Sequence, residues 1–343
     1  MPLGSNGSTI TTAANFIPKL WSDEVAAAYQ AKLVLGNLVK KVNFKGKKGD
    51  TLHIPVPARG DASAKAANTQ VTLIADTAGD VLVLIDKWFE YSKLYEDMAE
   101  MQALNSMRSF YTEDAGYALA KKIDRSLHLL GAGFNGGSIA GATNLYEKAV
   151  IGGDGSTLFS GATPGNGTAL TDSGIRKMIQ TLEDSDVNSA ELNLVIPPVE
   201  SNVLRGISRF TEQAFVGNGD TIKTGRLGNL YGVEIFTSTN CPWIHVNSIT
   251  STQSVTFSNA APTGSYVDEF GFTVDWTTST PTDAKFRAGM LLHKDSMILA
   301  EQQSIRTQSQ YKQEYLGTLV TSDTIYGVKE LRDYSALAFV VPA

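Results

Sequence analysis

The feature that most constrains this chain is the stretch from Asp97 to Leu130. No proline interrupts it, and Leu104, Met107, Tyr111, Ala115, Ala118, Leu119, Ile123, Leu127 and Leu130 recur at helical spacing. At 1.5 Å per residue such a helix is roughly 50 Å long, longer than a compact domain of ordinary size requires. A spine of that length needs something strung along it. Gly131-Ala132-Gly133 is expected to stop it as a C-cap. Gly116 is expected to mark a bend, at about 1 kcal/mol relative to alanine.

The residues before this helix do not read as a compact unit. Met1–Ala14 is small and polar, and the side chains able to anchor it are Phe16, Ile17, Leu20 and Trp21. A helix is expected from Ser22 as N-cap through Lys40. Such an arm either packs on another subunit or folds back on its own domain. Two strand-like runs follow, Thr51–Val56 and Val81–Ile85, around the polar middle Ala58–Asn68. Pro55 and Pro57 cannot donate to a central ladder, so the first run is expected to be an edge strand or to end in a loop. A hairpin with almost no apolar side chains at its tip cannot bury itself, and isolated hairpins are marginal in water. It is expected to lie on a neighbour.

After the helix, Gly131–Gly167 reads as a surface linker. Helix and strand then alternate: a helix Asp172–Asp184 with Ile175, Met178, Ile179 and Leu182 on one face, a buried strand Leu192–Ile196 closed by Pro197-Pro198, a helix Val199–Phe210 and a strand Gly232–Phe236. This is α/β or α+β texture. Asn247–Asp283 is dense in Ser and Thr and reads as a β excursion, with period-two pieces at Val255/Phe257 and Phe272/Val274/Trp276. The tail carries Met297–Leu299, a polar segment Glu301–Tyr315 and a strand Ala336–Val341.

With 343 residues, 42% of them hydrophobic, the chain has material for about two domains with real cores, which excludes a disordered polymer. A net charge of −6 argues against a dedicated nucleic-acid binder. Apolar runs such as Val81–Ile85 are far below the roughly 18–20 residues of a membrane helix. The single Cys241 excludes an intrachain disulfide and suits a reducing compartment. The first residues lack the pattern of a secretory signal, and no long charged prodomain precedes the arm, so no large cleavage is expected.

No catalytic, cofactor or metal constellation stands out. Gly131-x-Gly133-x-x-Gly136 follows a helix rather than a strand, so it does not aim a helix N-terminus at a pyrophosphate. Asp184-x-Asp186-x-Asn188 opens like a calcium loop but has Ser189 and Val195 where glycine and glutamate belong. Cys241 and His245 make one pair where structural zinc needs four ligands, and His53, His128 and His293 are scattered. The one charge cluster, Lys40, Lys41, Lys45, Lys47 and Lys48, sits at the base of the polar hairpin. It reads as a contact for a neighbour's carboxylates, a solvated face or a nucleic-acid contact.

Four stretches, taken in order, resemble the major capsid proteins of tailed bacteriophages with the Hong Kong 97-type fold, nearest to those of short-tailed, podovirus-like phages. Phe44–Pro55 resembles the start of that family's extended loop. Asp114-x-x-Tyr117-Ala118-Leu119-Ala120-x-x-Ile123-Asp124 resembles its spine helix. Lys223–Ile235 resembles the turn and strand of its axial domain, and Thr324–Arg332 its last crossing between domains. The Ser/Thr-rich 247–283 has no counterpart and is taken as an insertion.

The resemblance implies an α+β chain divided into an N-terminal arm (1–41), an extended β-hairpin loop (42–85), a peripheral domain (86–165) with the spine helix (97–130), an axial domain (166–300), a peripheral β segment (301–332) and a return strand (333–343). It implies hexamers and pentamers of this chain in an icosahedral virion shell, assembled in the bacterial cytoplasm, with a scaffolding protein, a portal and a cement protein as partners. Packaged double-stranded DNA would touch the inner face non-specifically, and no membrane or cofactor is involved. Intersubunit contacts are expected from Phe16, Trp21, Lys45, Lys47, Lys48, Arg59 and Lys65. Some relatives cross-link this loop through a lysine and an asparagine; Lys65 lies near the tip, with no partner assigned. An encapsulin-type compartment and an α/β hydrolase-like enzyme are the alternative readings.

Overall fold

The computed structural model describes residues 33–43, 49–57, 62, 64–71, 73, 78–97, 106–132, 151–155, 168–207, 229–246, 255–258, 265–267, 273–275 and 286–342. In chain order the elements begin with a one-turn helix α1 (Leu35–Leu38), strands β1 (Lys40–Asn43), β2 (Thr51–Pro57), β3 (Ala78–Leu84) and β4 (Lys87–Glu96), and the long helix α2 (Ser106–Ala132). Next come β5 (Ile151–Gly152), α3 (Asp172–Asp184), β6 (Leu192–Ile196), α4 (Pro198–Arg205), β7 (Asn229–Leu230), β8 (Val233–Thr237) and β9 (Trp243–Val246). Strands β10 (Val255–Ser258), β11 (Ser265–Val267), β12 (Thr273–Asp275), β13 (Phe286–His293), β14 (Met297–Lys312), β15 (Gly317–Glu330) and β16 (Ala336–Pro342) follow.

Strand β13 is the axis of an eight-stranded sheet. Phe286–Leu292 pairs antiparallel with β16, while its other edge is shared between β6 at Met290–His293 and β9 at Phe286 and Arg287. The sheet continues from β6 in parallel to β8 and then β7, from β9 to β10, and from β16 to β5. Both faces are covered, which is why β6 is apolar at every position but the half-buried Asn193. Leu192, Leu194 and Ile196 pack with Ile175, Met178 and Leu182 of α3 and Leu204 of α4. Val195 points the other way, towards Leu127 of α2, Met290, Leu292 and Met297. Period two in the strand thus divides one core from the next.

Caps set the helix starts on this sheet. Thr171 accepts from the Gly174 N–H at 3.0 Å at the head of α3, and Pro198 opens α4, where a missing N–H costs nothing. Tyr231 and Gly232, with φ of 53° and 84°, form the tight turn between β7 and β8, and the Tyr231 hydroxyl donates to Asp172.

A second, four-stranded sheet runs β1-β14-β15-β4, with β1 parallel to β14 and the rest antiparallel. Helix α2 lies on one of its faces. Phe89 and Val328 pack into the core that α2 shares, and the Ser126 hydroxyl meets that of Tyr326 at 2.9 Å. On the other face, Val83 of β3 packs with Ile298 and Ala300, joined by Leu52 and Ile54 of β2. The β2–β3 pair therefore crosses the second sheet at its root. Gly327 makes the crossing possible: a Cβ there would stand 2.1 Å from the Leu84 carbonyl oxygen.

Several expectations need correction. Lys40 begins a strand rather than ending a helix; α1 stops at Leu38, and 1–32 lie outside the described residues. Helix α2 runs to Ala132, inside the expected Gly131-Ala132-Gly133 stop, and Gly133 lies outside the described residues. The bare Cα of Gly131 also admits Met290, whose sulfur would stand 2.7 Å from a Cβ. Asp97, the expected start of the long helix, has helical backbone, and 98–105 lie outside the described residues. Helix α4 ends at Arg205, with Gly206 following, short of Phe210. The polar segment after Leu299, part of the expected β segment 301–332, is a strand through Lys312, its ladder supplied by β15.

Candidate intersubunit surface

Among the described residues no group of three His, Cys, Asp or Glu is placed to hold a metal ion. Cys241 is buried, and desolvation pushes its thiol up to about 12, so it packs as a neutral group. His53 sits on an exposed strand with its Nδ1 2.7 Å from Asp80. These groups do not converge on a reacting centre, and surfaces carry the information instead.

The first surface is the β2–β3 hairpin. Its strands pair from Thr51↔Leu84 to Pro57↔Ala78, and no other strand pairs with them among the described residues. Beyond the paired part, Ala62, Lys65, Val71, Leu73 and their described neighbours are all exposed, with a turn at Ala67-Asn68 where Asn68 has φ 67°. Leu73 is 90% exposed, and Val56, Val71, Leu82 and Leu84 are also open. Five such apolar side chains along a hairpin whose described core packing is at the root form a surface that water alone would not favour. Lys65 is exposed on this strip. Phe16, Trp21, Lys45, Lys47, Lys48 and Arg59 lie outside the described residues.

The second surface is the outer half of the four-stranded sheet. Burial alternates along β4, so Phe89, Tyr91 and Tyr95 turn towards α2 while Trp88, Glu90, Leu94 and Glu96 face outwards. Trp88 is 72% exposed. The register sets these beside Ile325, Asp323 and Leu319 of β15 and Gln303, Arg306 and Gln310 of β14. Asp323 organises the patch. Arg306 grips it at 2.7 and 3.1 Å, Gln303 donates at 3.0 Å and Trp88 at 3.4 Å, and the Arg306 bonds hold its carboxyl below the usual range. At the tip, Tyr311, Tyr315 and Leu316 are exposed, and the Tyr311 hydroxyl donates to Asp97 at 2.7 Å. Sequence reading passed over this surface because Gln, Ser and Thr dominate it; the alternation of β4 was the available signal.

Behind both surfaces is a buried polar joint. Asp124 of α2 is 2% exposed. Its Oδ1 accepts from the backbone N–H groups of Val34 (3.1 Å) and Leu35 (2.9 Å), and its Oδ2 from the Asn240 side chain at 2.8 Å. One carboxylate thus ties the first described turn of the chain, the long helix and the β8–β9 connection. One turn further on, His128 Nδ1 donates to the Asp124 carbonyl at 2.8 Å. Burial holds this imidazole below its ordinary range, despite the attraction of the Asp124 charge, so it is neutral at pH 7.

No protein-family model and no curated protein sequence matches this chain. Solved structures do. The capsid structure of the cyanophage P-SCSP1u matches at TM-score 0.70 and 18% identity, over 99% of this chain and 96% of that one. The cyanophage Pam1 capsid matches at 0.66 and 12%, over 99% of both chains. The head structure of the Helicobacter pylori bacteriophage KHP40 matches at 0.65 and 13%, again over 99% of both. The chain has the fold of these phage head proteins along almost its entire length.

Proposed function

We propose that this chain is a tailed-bacteriophage major capsid protein of the Hong Kong 97-type fold, assembling with itself as hexamers and pentamers into the icosahedral shell around packaged double-stranded DNA. The observation that carries the reading is the end-to-end fold likeness to phage capsid proteins, which spans 99% of this chain in three cases. The open apolar hairpin and outer sheet support it, since a lattice subunit must present faces that only neighbours cover. In this reading residues 1–41 are the arm, 42–85 the extended loop lying over an adjacent subunit, 86–165 and 301–332 the peripheral domain, 166–300 the axial domain with its insertion at 247–283, and 333–343 the return strand. Lys65 and Arg59 would contribute at the loop tip, Lys45, Lys47 and Lys48 at its base, and Phe16 and Trp21 from the arm.

The mechanism is additive. Many small contacts, each reversible, become collectively stable once the shell closes. A scaffolding protein, a portal and a cement protein are the expected partners, the host cytoplasm the place of assembly, and no catalytic role is assigned. The named matches come from phage heads, which favours the virion over a cargo compartment. The test is expression of the chain alone and with a candidate scaffold, followed by light scattering and negative-stain microscopy. Closed shells or rings are expected, and deletion of 59–71 is expected to leave a folded subunit that forms no stable shells. A monomer under both conditions overturns the capsid reading, and normal shells from the deletion overturn the role of the loop.

A further inference from the structure

We propose that a groove between α1, α2 and the start of the four-stranded sheet receives the N-terminal arm of a second copy of this chain. Leu20 and Trp21 of that arm fill it, and its Lys19 meets Glu301. This rests on the capsid reading for a neighbouring copy within reach; the groove itself is argued from its shape and charges.

The groove is open and holds about 420 Å³. Buried Leu299 of β14, Ile123 of α2 and the part-exposed Ile305 give it an apolar lining. Gly36 of α1 also lines it, and a Cβ placed there would meet no atom within 4 Å. Glycine weakens a helix relative to alanine, yet neither close packing nor a positive φ requires one at this position. The space over Gly36 is room that the chain's own described packing leaves unused.

Two charges of opposite sign stand at this lining. Lys41 is beside Leu299 in the β1–β14 register, and Glu301 is two residues further along β14. Among the described residues the Lys41 ammonium meets the Asn37 side-chain oxygen at 3.4 Å, and no hydrogen bond or ion pair engages the Glu301 carboxylate. Asp124 lines the groove too, but Val34, Leu35 and Asn240 already occupy it.

The chain itself supplies a matching segment. The 32 residues before Leu33 lie outside the described residues, and Leu33 is part of the lining, so the arm joins the fold at this groove. The arm carries Lys19-Leu20-Trp21-Ser22-Asp23-Glu24: a cation, two large apolar residues, then two acids after a serine. The groove offers the complement, a carboxylate at Glu301, an apolar lining and an ammonium at Lys41. Opposite charges set orientation and register, while burial of the apolar pair supplies the binding energy. Reach decides which copy supplies the arm. As the helix expected from Ser22, residues 22–32 would hold Trp21 about 16 Å from Leu33 and carry it past the subunit's own groove. Each groove is then left for a neighbour's arm, a head-to-tail contact of the kind that closes into rings.

The experiment cross-links full-length chains through Ser22→Cys on the arm and Asn37→Cys at the Lys41 end of the groove; the native Cys241 is buried and stays out of the reaction. Oxidation of the two single variants mixed together is expected to give a covalent heterodimer on a non-reducing gel. The doubly substituted chain is expected to give ladders rather than a cross-linked monomer. Gly36→Leu fills the groove and is expected to cut the yield at least about ten-fold, the worth of burying one large apolar side chain, without lowering the unfolding temperature. Lys19→Glu and Glu301→Lys are each expected to cut it about five-fold, and the two together to restore it. No intermolecular cross-link, a cross-linked monomer from the doubly substituted chain, an undiminished yield in Gly36→Leu, or no rescue by the paired reversal overturns the proposal. Microscopy of the same samples keeps the two readings apart. Shells without the cross-link sink the arm's place in the groove alone, whereas the cross-link without shells, scaffold present or absent, sinks the capsid reading alone.

Discussion

Replacing Asp124 with alanine tests the joint on which the chain's first described turn depends. The carboxylate satisfies two backbone N–H groups and one side-chain amide, all buried, at 2.8 to 3.1 Å. Alanine strands three donors at once. Each buried donor left unsatisfied costs about 1–3 kcal/mol, and with partial relaxation we expect a total of about 3–5 kcal/mol. Asparagine is the discriminating variant. Its Oδ1 still accepts from Val34 and Leu35, and an amide flip of Asn240 turns a donor clash into a hydrogen bond, so the expected cost is only about 1 kcal/mol. Urea unfolding of the unassembled chain measures both, and hydrogen exchange at the Val34 and Leu35 amides reports whether the turn has detached. The double-mutant cycle with Asn240→Ala isolates the side-chain pair. An alanine variant within about 1 kcal/mol of wild type, or an asparagine variant as costly as alanine, refutes the reasoning.

Three further perturbations follow from the same structure. Gly327→Ala places a Cβ 2.1 Å from the Leu84 carbonyl, a backbone atom that cannot swing aside, so the hairpin root must lift; a loss of about 1–3 kcal/mol in thermal unfolding is expected. Gly116→Ala meets no atom within 4 Å and should raise stability by about 0.5–1 kcal/mol, read in the same assay; destabilisation would show that the helix bends there. Glu200 is buried at the start of α4 with Oε2 accepting from the Leu170 N–H at 2.7 Å, and desolvation pushes its carboxyl above the usual range. The folded state therefore holds that proton to higher pH than the unfolded chain does, and stability falls as pH rises from the ordinary carboxylate value through the folded one. Glu200→Gln is expected to remove that fall, so its stability relative to wild type should climb across the window; parallel curves would count against it.

Some of this was legible early. The 3.6-residue spacing of Ile175, Met178, Ile179 and Leu182 placed α3 with its observed ends, and the prolines at 55 and 57 marked β2 as a strand with one open edge. Other features have causes that no local pattern carries. Gly131 reads as part of a helix stop, and its bare Cα also makes room for Met290. Asp124 reads only as a residue of the long helix, since nothing local reveals that Asn240, 116 positions away, closes over it. The polar residues after Leu299 carry no strand period, and the ladder with β15 makes them a strand. Of the expected contact residues, Lys65 is on the exposed hairpin strip, and the others lie outside the described residues.

What the sequence determined by itself is the set of elements whose pattern is local: the long helix, the amphipathic α3, the buried β6 and a hairpin too polar at its tip to fold on itself. Periodicity is a property of neighbours in the chain, and a helix or strand needs no more than that to declare its face. The tertiary structure alone decided which faces stay open. Whether Trp88 or Leu73 is core or surface depends on which strand lies over it, and whether Asp124 is a solvated charge or a joint depends on donors brought from distant segments. Exposure is set by the whole packing rather than by any residue's neighbours in sequence, so the surfaces on which assembly would depend appear only once the two sheets and the spine between them are in place.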